Sequence, residues 1–240
     1  MVKSIKTNLL AEAHLTTWQF LVATGVVAGI LWTCTYLLII ARGFQDRIYG
    51  MPAAAMCANI SWEFIFTFLR PAVMPQLVIN VLWFGLDLLI VIQYLLYWRK
   101  DYPANLSPRW FYPMFALMMA SAFGAVLLIT EQLHDTFGIY AAAGQNWMMS
   151  ILFVVMFLRR NSLVGQSFYI ALTKWFGSAI SYLGFAVYQP NALLDFIFVA
   201  LFVMDAIYAV AVYRKCKELG VNPWTDLARR DRTLVAAPAG

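Results

Sequence analysis

The sequence predicts an all-α polytopic membrane protein, a bundle of seven transmembrane helices. Three observations carry that prediction. Of its 240 residues, 62% are hydrophobic and only 12% are charged, whereas soluble domains are about 45–50% apolar and about 25% charged. The apolar residues fall into seven stretches of the length needed to cross a bilayer core, about 20 residues each. The basic residues, finally, are unevenly shared between the two sides those stretches would define. With a mean hydropathy of +0.71, a water-soluble globule would lack the polar residues to cover its surface. Cytosolic enzymes, disulfide scaffolds and disordered chains are therefore excluded.

The predicted spans run over about 18–41, 51–69, 76–98, 110–130, 139–158, 167–188 and 192–213. Charges, prolines and glycines separate them, at Arg42-Gly43, Arg70-Pro71, Pro75, Arg99-Lys100-Asp101, Arg159-Arg160 and Gln189-Pro190-Asn191. The first stretch is too long for a signal-peptide core and is expected to be retained as a span. Residues 1–17 read as an N-terminal tail at the interface, 18–213 as the seven-helix domain and 214–240 as a basic cytoplasmic tail.

Orientation follows from lysine and arginine. The N-terminal tail and the 2–3, 4–5 and 6–7 connections carry three basic residues, and the opposite side carries thirteen. The C-terminus is thus expected in the cytoplasm and the N-terminus outside. This bias also accounts for the net charge of +5 without a nucleic-acid partner. Cys34, Cys57 and Cys216 are scattered and show no metal-ligand spacing, so neither a disulfide framework nor a metal site is expected.

Within the spans stand carboxyl groups that a bilayer disfavours by roughly 2.5–3.5 kcal/mol each at mid-depth. Glu63, Asp87 and Asp205 lie near span centres, and Glu63 and Asp205 are each within about 5 Å of mid-span. These two are expected to face one central cavity. Asn59 and Glu63 are four residues apart on one helix face, with Trp62 beside them. Asn80, Trp83, Asp87 and Tyr94 form a polar and aromatic stripe in span 3, and Asp205 and Tyr208 are three apart in span 7. Span 5 adds Gln145, Asn146 and Trp147. Such stripes turn inward, because lipid offers their polar groups no partner. A lone buried carboxyl group also serves as a plain interhelical link, and Asp87 fits that reading equally well. Lys174, in the inner half of span 6, is expected to snorkel to the headgroups. Glu131, His134, Asp135 and Asp195, near the outer ends, are expected in water.

Sequestration from water favours the neutral carboxyl form, which is what a general acid requires. An apolar, aromatic cavity suits a lipophilic substrate, its ring faces stabilise a cation, and its dryness protects a carbocation from capture.

The stretch from Tyr49 to Phe64, with Asn59-Ile-Ser-Trp62-Glu63 at its core, resembles the second-helix signature of the small membrane-bound terpene cyclases of meroterpenoid and indole-terpenoid pathways. Trp83-Phe-Gly-Leu-Asp87, the segment from Gln145 to Phe153, Gly165-Gln166-Ser167 and Asp205-Ala-Ile-Tyr208 extend the resemblance over about 46–215. It implies a terpene cyclase whose second-helix glutamate and last-helix aspartate form the acid pair, here Glu63 and Asp205. It further implies substrates with a farnesyl-type chain, epoxidised or not, on an aromatic or indole acceptor. No cofactor or metal is implied, and Asn59, Trp62, Trp83, Asp87, Asn146, Trp147 and Tyr208 become candidates for substrate binding. The expected location is a bacterial inner membrane, or the endoplasmic reticulum membrane if the source is fungal. The rival reading is a small proton-coupled transporter that uses the same buried acids as a relay, although spans 2 and 7 lack a central glycine or proline break. A retinal protein would need a Schiff-base lysine in span 7, which has none.

Overall fold

A computed structural model describes residues 16–226, and the expectations for His14 in the N-terminal tail and for Arg229, Arg230 and Arg232 lie outside those residues. Each of the seven predicted spans is a helix. The helices are α1 (Thr17–Asp46), α2 (Ala53–Phe64), α3 (Gln76–Tyr97), α4 (Phe111–Gln132), α5 (Ile139–Arg160), α6 (Phe168–Tyr188) and α7 (Ala192–Glu218). Six are long and apolar enough to cross a membrane, and the shorter second one is apolar as well. Lipid-facing positions carry bare aliphatic and aromatic side chains, among them Leu117, Leu128, Leu158, Leu183 and Phe196. A bilayer tolerates such a surface and water does not.

Helix ends follow local rules. Thr16 caps α1 in a reciprocal pair with Gln19, Ser167 accepts from the Ile170 amide, and Asn191 accepts from the Leu193 and Leu194 amides. Each satisfies first-turn N–H groups that have no helical partner. Asp135 departs from its expected place in water. It is buried and accepts from the Tyr140 amide at 2.7 Å, capping the start of α5.

Helix α1 runs one turn past its predicted end. The reason lies far away in sequence: Arg42 is buried and its Nη2 donates to the Asp226 carbonyl at 2.6 Å and to Oδ1 at 3.2 Å. Residues 219–226 therefore close over this end of the bundle, where Phe168 also packs on Trp224 with centroids 5.1 Å apart.

Helix α2 is the innermost element, buried without interruption from Ala55 to Glu63. It packs against α3, α4 and α5, while α1, α6, α7 and α5 follow one another around it. Past Phe64 it widens into a π-helical turn, Ile65–Leu69, a feature often found at functional sites. There the Phe66 carbonyl accepts from Asn80 Nδ2 at 3.2 Å and from the Ala72 amide at 3.0 Å.

The closest helix pair is α1 with α6, and small residues allow it. A Cβ on Gly177 would come 2.9 Å from Trp32, and one on Gly184 would overlap the Thr24 hydroxyl. Since Thr24 is β-branched and stiff, Gly184→Leu should lower stability in detergent by about 1–3 kcal/mol through overpacking. Gly124→Leu, whose Cβ would meet nothing within 4 Å, should leave the melting curve unchanged.

Candidate active site

Three helices bring four polar side chains to one buried point. Asn59 and Glu63 stand one turn apart on α2, Asp87 comes from α3 and Tyr36 from α1. Tyr36 Oη donates to Glu63 Oε1 at 2.8 Å. Asn59 Nδ2 donates to Asp87 Oδ2 at 2.9 Å, to Glu63 Oε1 at 3.3 Å and also to Tyr36 Oη. Asn59 Oδ1 accepts from Gln145 Nε2 of α5 at 3.4 Å. Through Asn59 Nδ2 the Glu63 and Asp87 carboxyl groups are brought beside each other. Glu63 Oε2 and Asp87 Oδ1 receive no N–H or O–H from any other described residue.

This cluster forms part of the inner end of a cavity of about 230 Å³. A single water needs only about 10–15 Å³ of such space, so the cavity holds a chain of groups and not an isolated solvent molecule. Tyr36, Asn59, Glu63 and Met149 line its deep end, and Trp32, Trp62, Trp83, Phe185 and Phe198 contribute aromatic walls. Its outer part is bounded by Trp18 of α1, residues 72–76, Phe137 and Tyr188. The cavity therefore extends to the end of the bundle where α1 begins.

The other predicted site residues divide between wall and interior. Trp62 lines the cavity while its Nε1 donates to the Gly138 carbonyl at 2.9 Å. Gly138 has a φ of +68° and lies under the Trp62 and Phe66 rings, where any side chain would be both strained and crowded. Trp83 lines the cavity, donates to Thr33 Oγ1 at 3.0 Å and stands 5.9 Å from the Tyr36 ring. Asn146 lines it too, with Nδ2 donating to Ser178 Oγ at 2.9 Å. Asp87 lies behind Glu63, outside the lining. Trp147 faces Phe196 of α7, and Tyr208 is buried between Phe153 and Phe157 with its hydroxyl on Gln166.

Glu63 and Asp205 do not share the cavity wall. Asp205 lies outside the lining, where Lys174 Nζ meets its Oδ1 at 2.5 Å. Lys174 itself corrects the sequence reading: instead of snorkelling to the headgroups it is fully buried, held by Asp205 and by Ser150 Oγ at 2.7 Å. A lysine in a bilayer that finds a counter-ion inside the bundle has no need to reach the interface. Among the described residues, no group of three or more His, Cys, Asp or Glu is arranged to hold a metal ion.

The family model of Pyr4-like transmembrane terpene cyclases matches residues 12–218. The chain belongs to this family. It is 31% identical over 166 residues to the Pyr4-family terpene cyclase mfmH of Annulohypoxylon moriforme, covering 67% of each chain. Identity to the terpene cyclase andB of Emericella variicolor is 28% over 159 residues, which is 64% of this chain and 66% of that one. Identity to the terpene cyclase pyr4 of Aspergillus fumigatus is 27% over 160 residues, 63% and 64% of the two chains. Each alignment thus spans about two thirds of the relative. No solved structure matches the chain.

In this terpene cyclase, sequence reasoning passed over Tyr36 and Trp32. The signal was present in span 1, where Thr33, Thr35 and Tyr36 interrupt an apolar run. No carboxyl group shares that helix turn, so nothing singled the tyrosine out. Asn59 holds the cyclase cluster together, and its replacement leaves several buried groups without a donor. Asn59→Leu should cost about 1–3 kcal/mol for each polar group stranded, visible as a lowered melting temperature of the detergent-solubilised protein. Gln145→Leu, which removes a single 3.4 Å contact, should cost less.

Proposed function

We propose that the chain catalyses metal-independent, proton-initiated cyclisation of a farnesyl-type polyene chain, epoxidised or not, carried on an aromatic or indole acceptor, with Glu63 as the general acid. The observation that carries this reading is the position of Glu63. Among Glu63, Asp87 and Asp205 it alone lines the aromatic cavity, and its hydrogen bonds support a protonated carboxyl group. Glu63 Oε1 accepts from Tyr36 and Asn59, as a carbonyl-type oxygen does. Oε2 receives no donor among the described residues, and Asp87, joined to Glu63 through the Asn59 amide, supplies only an acceptor. One proton between the two carboxyl groups satisfies both before the reaction, since two adjacent carboxylates in an apolar interior are strongly disfavoured until a cation stands beside them.

The chemistry then follows from the residues in place. Glu63 gives its proton to the epoxide oxygen or to the terminal alkene carbon of the substrate, and the electrons of successive double bonds close the rings. The Tyr36 hydroxyl and Asn59 amide, already directed at Oε1, stabilise the carboxylate left behind without reorganising. The carboxylates of Glu63 and Asp87 then offset the positive charge on the polyene. The faces of Trp32, Trp62 and Trp83 stabilise that charge as it moves, by about 2 kcal/mol or more where water is excluded. Loss of a proton from the final cation restores the acid, so the overall reaction is an isomerisation without a redox partner.

The charge asymmetry of the connections supports a cytoplasmic C-terminus, with the Trp18 end of the cavity on the opposite side. The fungal source of the relatives supports the endoplasmic reticulum membrane. The seven-helix domain, 18–213, carries the activity between its two tails.

Membranes containing the chain should cyclise farnesylated indole or epoxyfarnesyl-aromatic substrates equally well with and without EDTA. Glu63→Gln should lower turnover by about 10²–10⁴-fold, the usual contribution of a positioned acid. In deuterated water, deuterium on ring carbon identifies alkene protonation, and a new hydroxyl without it identifies epoxide opening. Cyclisation that survives Glu63→Gln in folded protein would overturn the assignment. A reporter fused to the C-terminus should be protected inside sealed, right-side-out cells or exposed on the cytosolic face of microsomes.

A further inference from the structure

The second buried polar cluster lies between α5, α6 and α7, and it has a different chemistry from the first. Lys174 and Asp205 are both fully inaccessible, 0% exposed on each side chain. Three oxygens surround the ammonium: Asp205 Oδ1 at 2.5 Å, Ser150 Oγ at 2.7 Å and Asn146 Oδ1 at 3.4 Å. These match its three N–H donors. Lys174 Nζ also lies 5.7 Å from the Trp32 ring and 5.8 Å from that of Phe153. Asn146 and Trp32 line the cavity, and neither Lys174 nor Asp205 does.

We infer that Asp205 is a positioning residue, the counter-ion of Lys174, and not a proton donor to the substrate. The inference rests on the cyclase reading above. Two physical arguments support it. A proton on Asp205 would leave Lys174 either as an ammonium with no opposite charge in contact, the arrangement a protein core tolerates least, or as a neutral amine 2.5 Å away that competes with any substrate for that proton. Asp205 also has no place on the cavity wall from which to reach a substrate.

The pair has a use in the reaction nonetheless. An ammonium beside a chamber that generates a carbocation would oppose that cation, and Asp205 cancels its field. Through Lys174 it also fixes Asn146: the amide oxygen is held by the ammonium, which turns Nδ2 onto Ser178 and keeps this part of the wall rigid. A substitution at Asp205 is therefore damaging because it uncovers a positive charge, and removing that charge should undo the damage.

A double-mutant cycle separates this role from proton donation. Asp205→Asn should reduce cyclisation at least about tenfold, Lys174→Met should reduce it less, and the double variant should return to within about threefold of wild type. A folded double variant as inactive as Asp205→Asn would overturn the inference. Should the double variant not purify as a monodisperse species, the exchanged pair Lys174→Asp with Asp205→Lys carries the same test. Two readouts need no substrate, so they stand even if wild type proves inert and the cyclase reading fails. The melting temperature should fall in Asp205→Asn and recover in the double variant. In infrared spectra of protein with ¹³C-labelled aspartate carboxyls, Asp205→Asn should remove an ionised carboxylate band. Loss of a protonated-acid band in its place would overturn the inference.

Discussion

The Asn59 amide is the interaction on which this structure turns. It stands on the most enclosed helix of the bundle and reaches groups on α1, α2 and α3 at once, with its oxygen met by a fourth helix, α5. In water each of these contacts would be exchanged for solvent at little net gain. Inside an apolar bundle the alternative to a protein partner is no partner. The amide therefore does two things together. It locks the relative rotation of helices that dispersion forces alone would hold loosely, and with Tyr36 it takes up Oε1 of Glu63.

The interior holds its two acidic clusters by opposite means. Around Glu63 the donors are an amide and a phenol, with no cation in contact among the described residues. Around Asp205 the donor is the Lys174 side chain, 2.5 Å away. Similar carboxyl groups are thereby given different chemistry by their neighbours, the same principle that separates acid from base in soluble active sites. The aromatic wall lies between them, with Trp32 bordering the chamber on one side and the Lys174 ammonium on the other.

Close packing makes room for this arrangement. Gly177 and Gly184 let α1 settle against α6, and Gly43 leaves space for the Gln93 amide, which donates to the Ile40 carbonyl at 2.5 Å. With α1 thus held against both α6 and α3, Tyr36 is brought to Glu63 and Trp32 to the cavity. The segment that closes over Arg42 secures the far end of the same helix. Glycines at these positions act through the space they leave, since a bundle in lipid gains little from hydrophobic burial and depends on contact.

The sequence by itself determined the number, type and placement of the helices, the membrane environment and the inward-facing stripes that carry Asn59, Glu63, Trp83 and Asp87. Those features are local: span length follows from bilayer thickness, and a helix face follows from a period of 3.6 residues. Only the tertiary structure decided which stripes meet. Asp87, read as either ligand or link, lies against Glu63, whereas Asp205, at a similar depth, is taken by a lysine 31 residues away in the chain. Lys174 looks the same in sequence whether it snorkels or pairs, and Tyr36 shows no carboxyl neighbour until α1 is packed beside α2. Pairing across helices depends on the order in which they pack and on the rotation of each about its axis. Those quantities are set by glycine-sized gaps and buried hydrogen bonds spread over the whole chain, and no single stretch of sequence contains them.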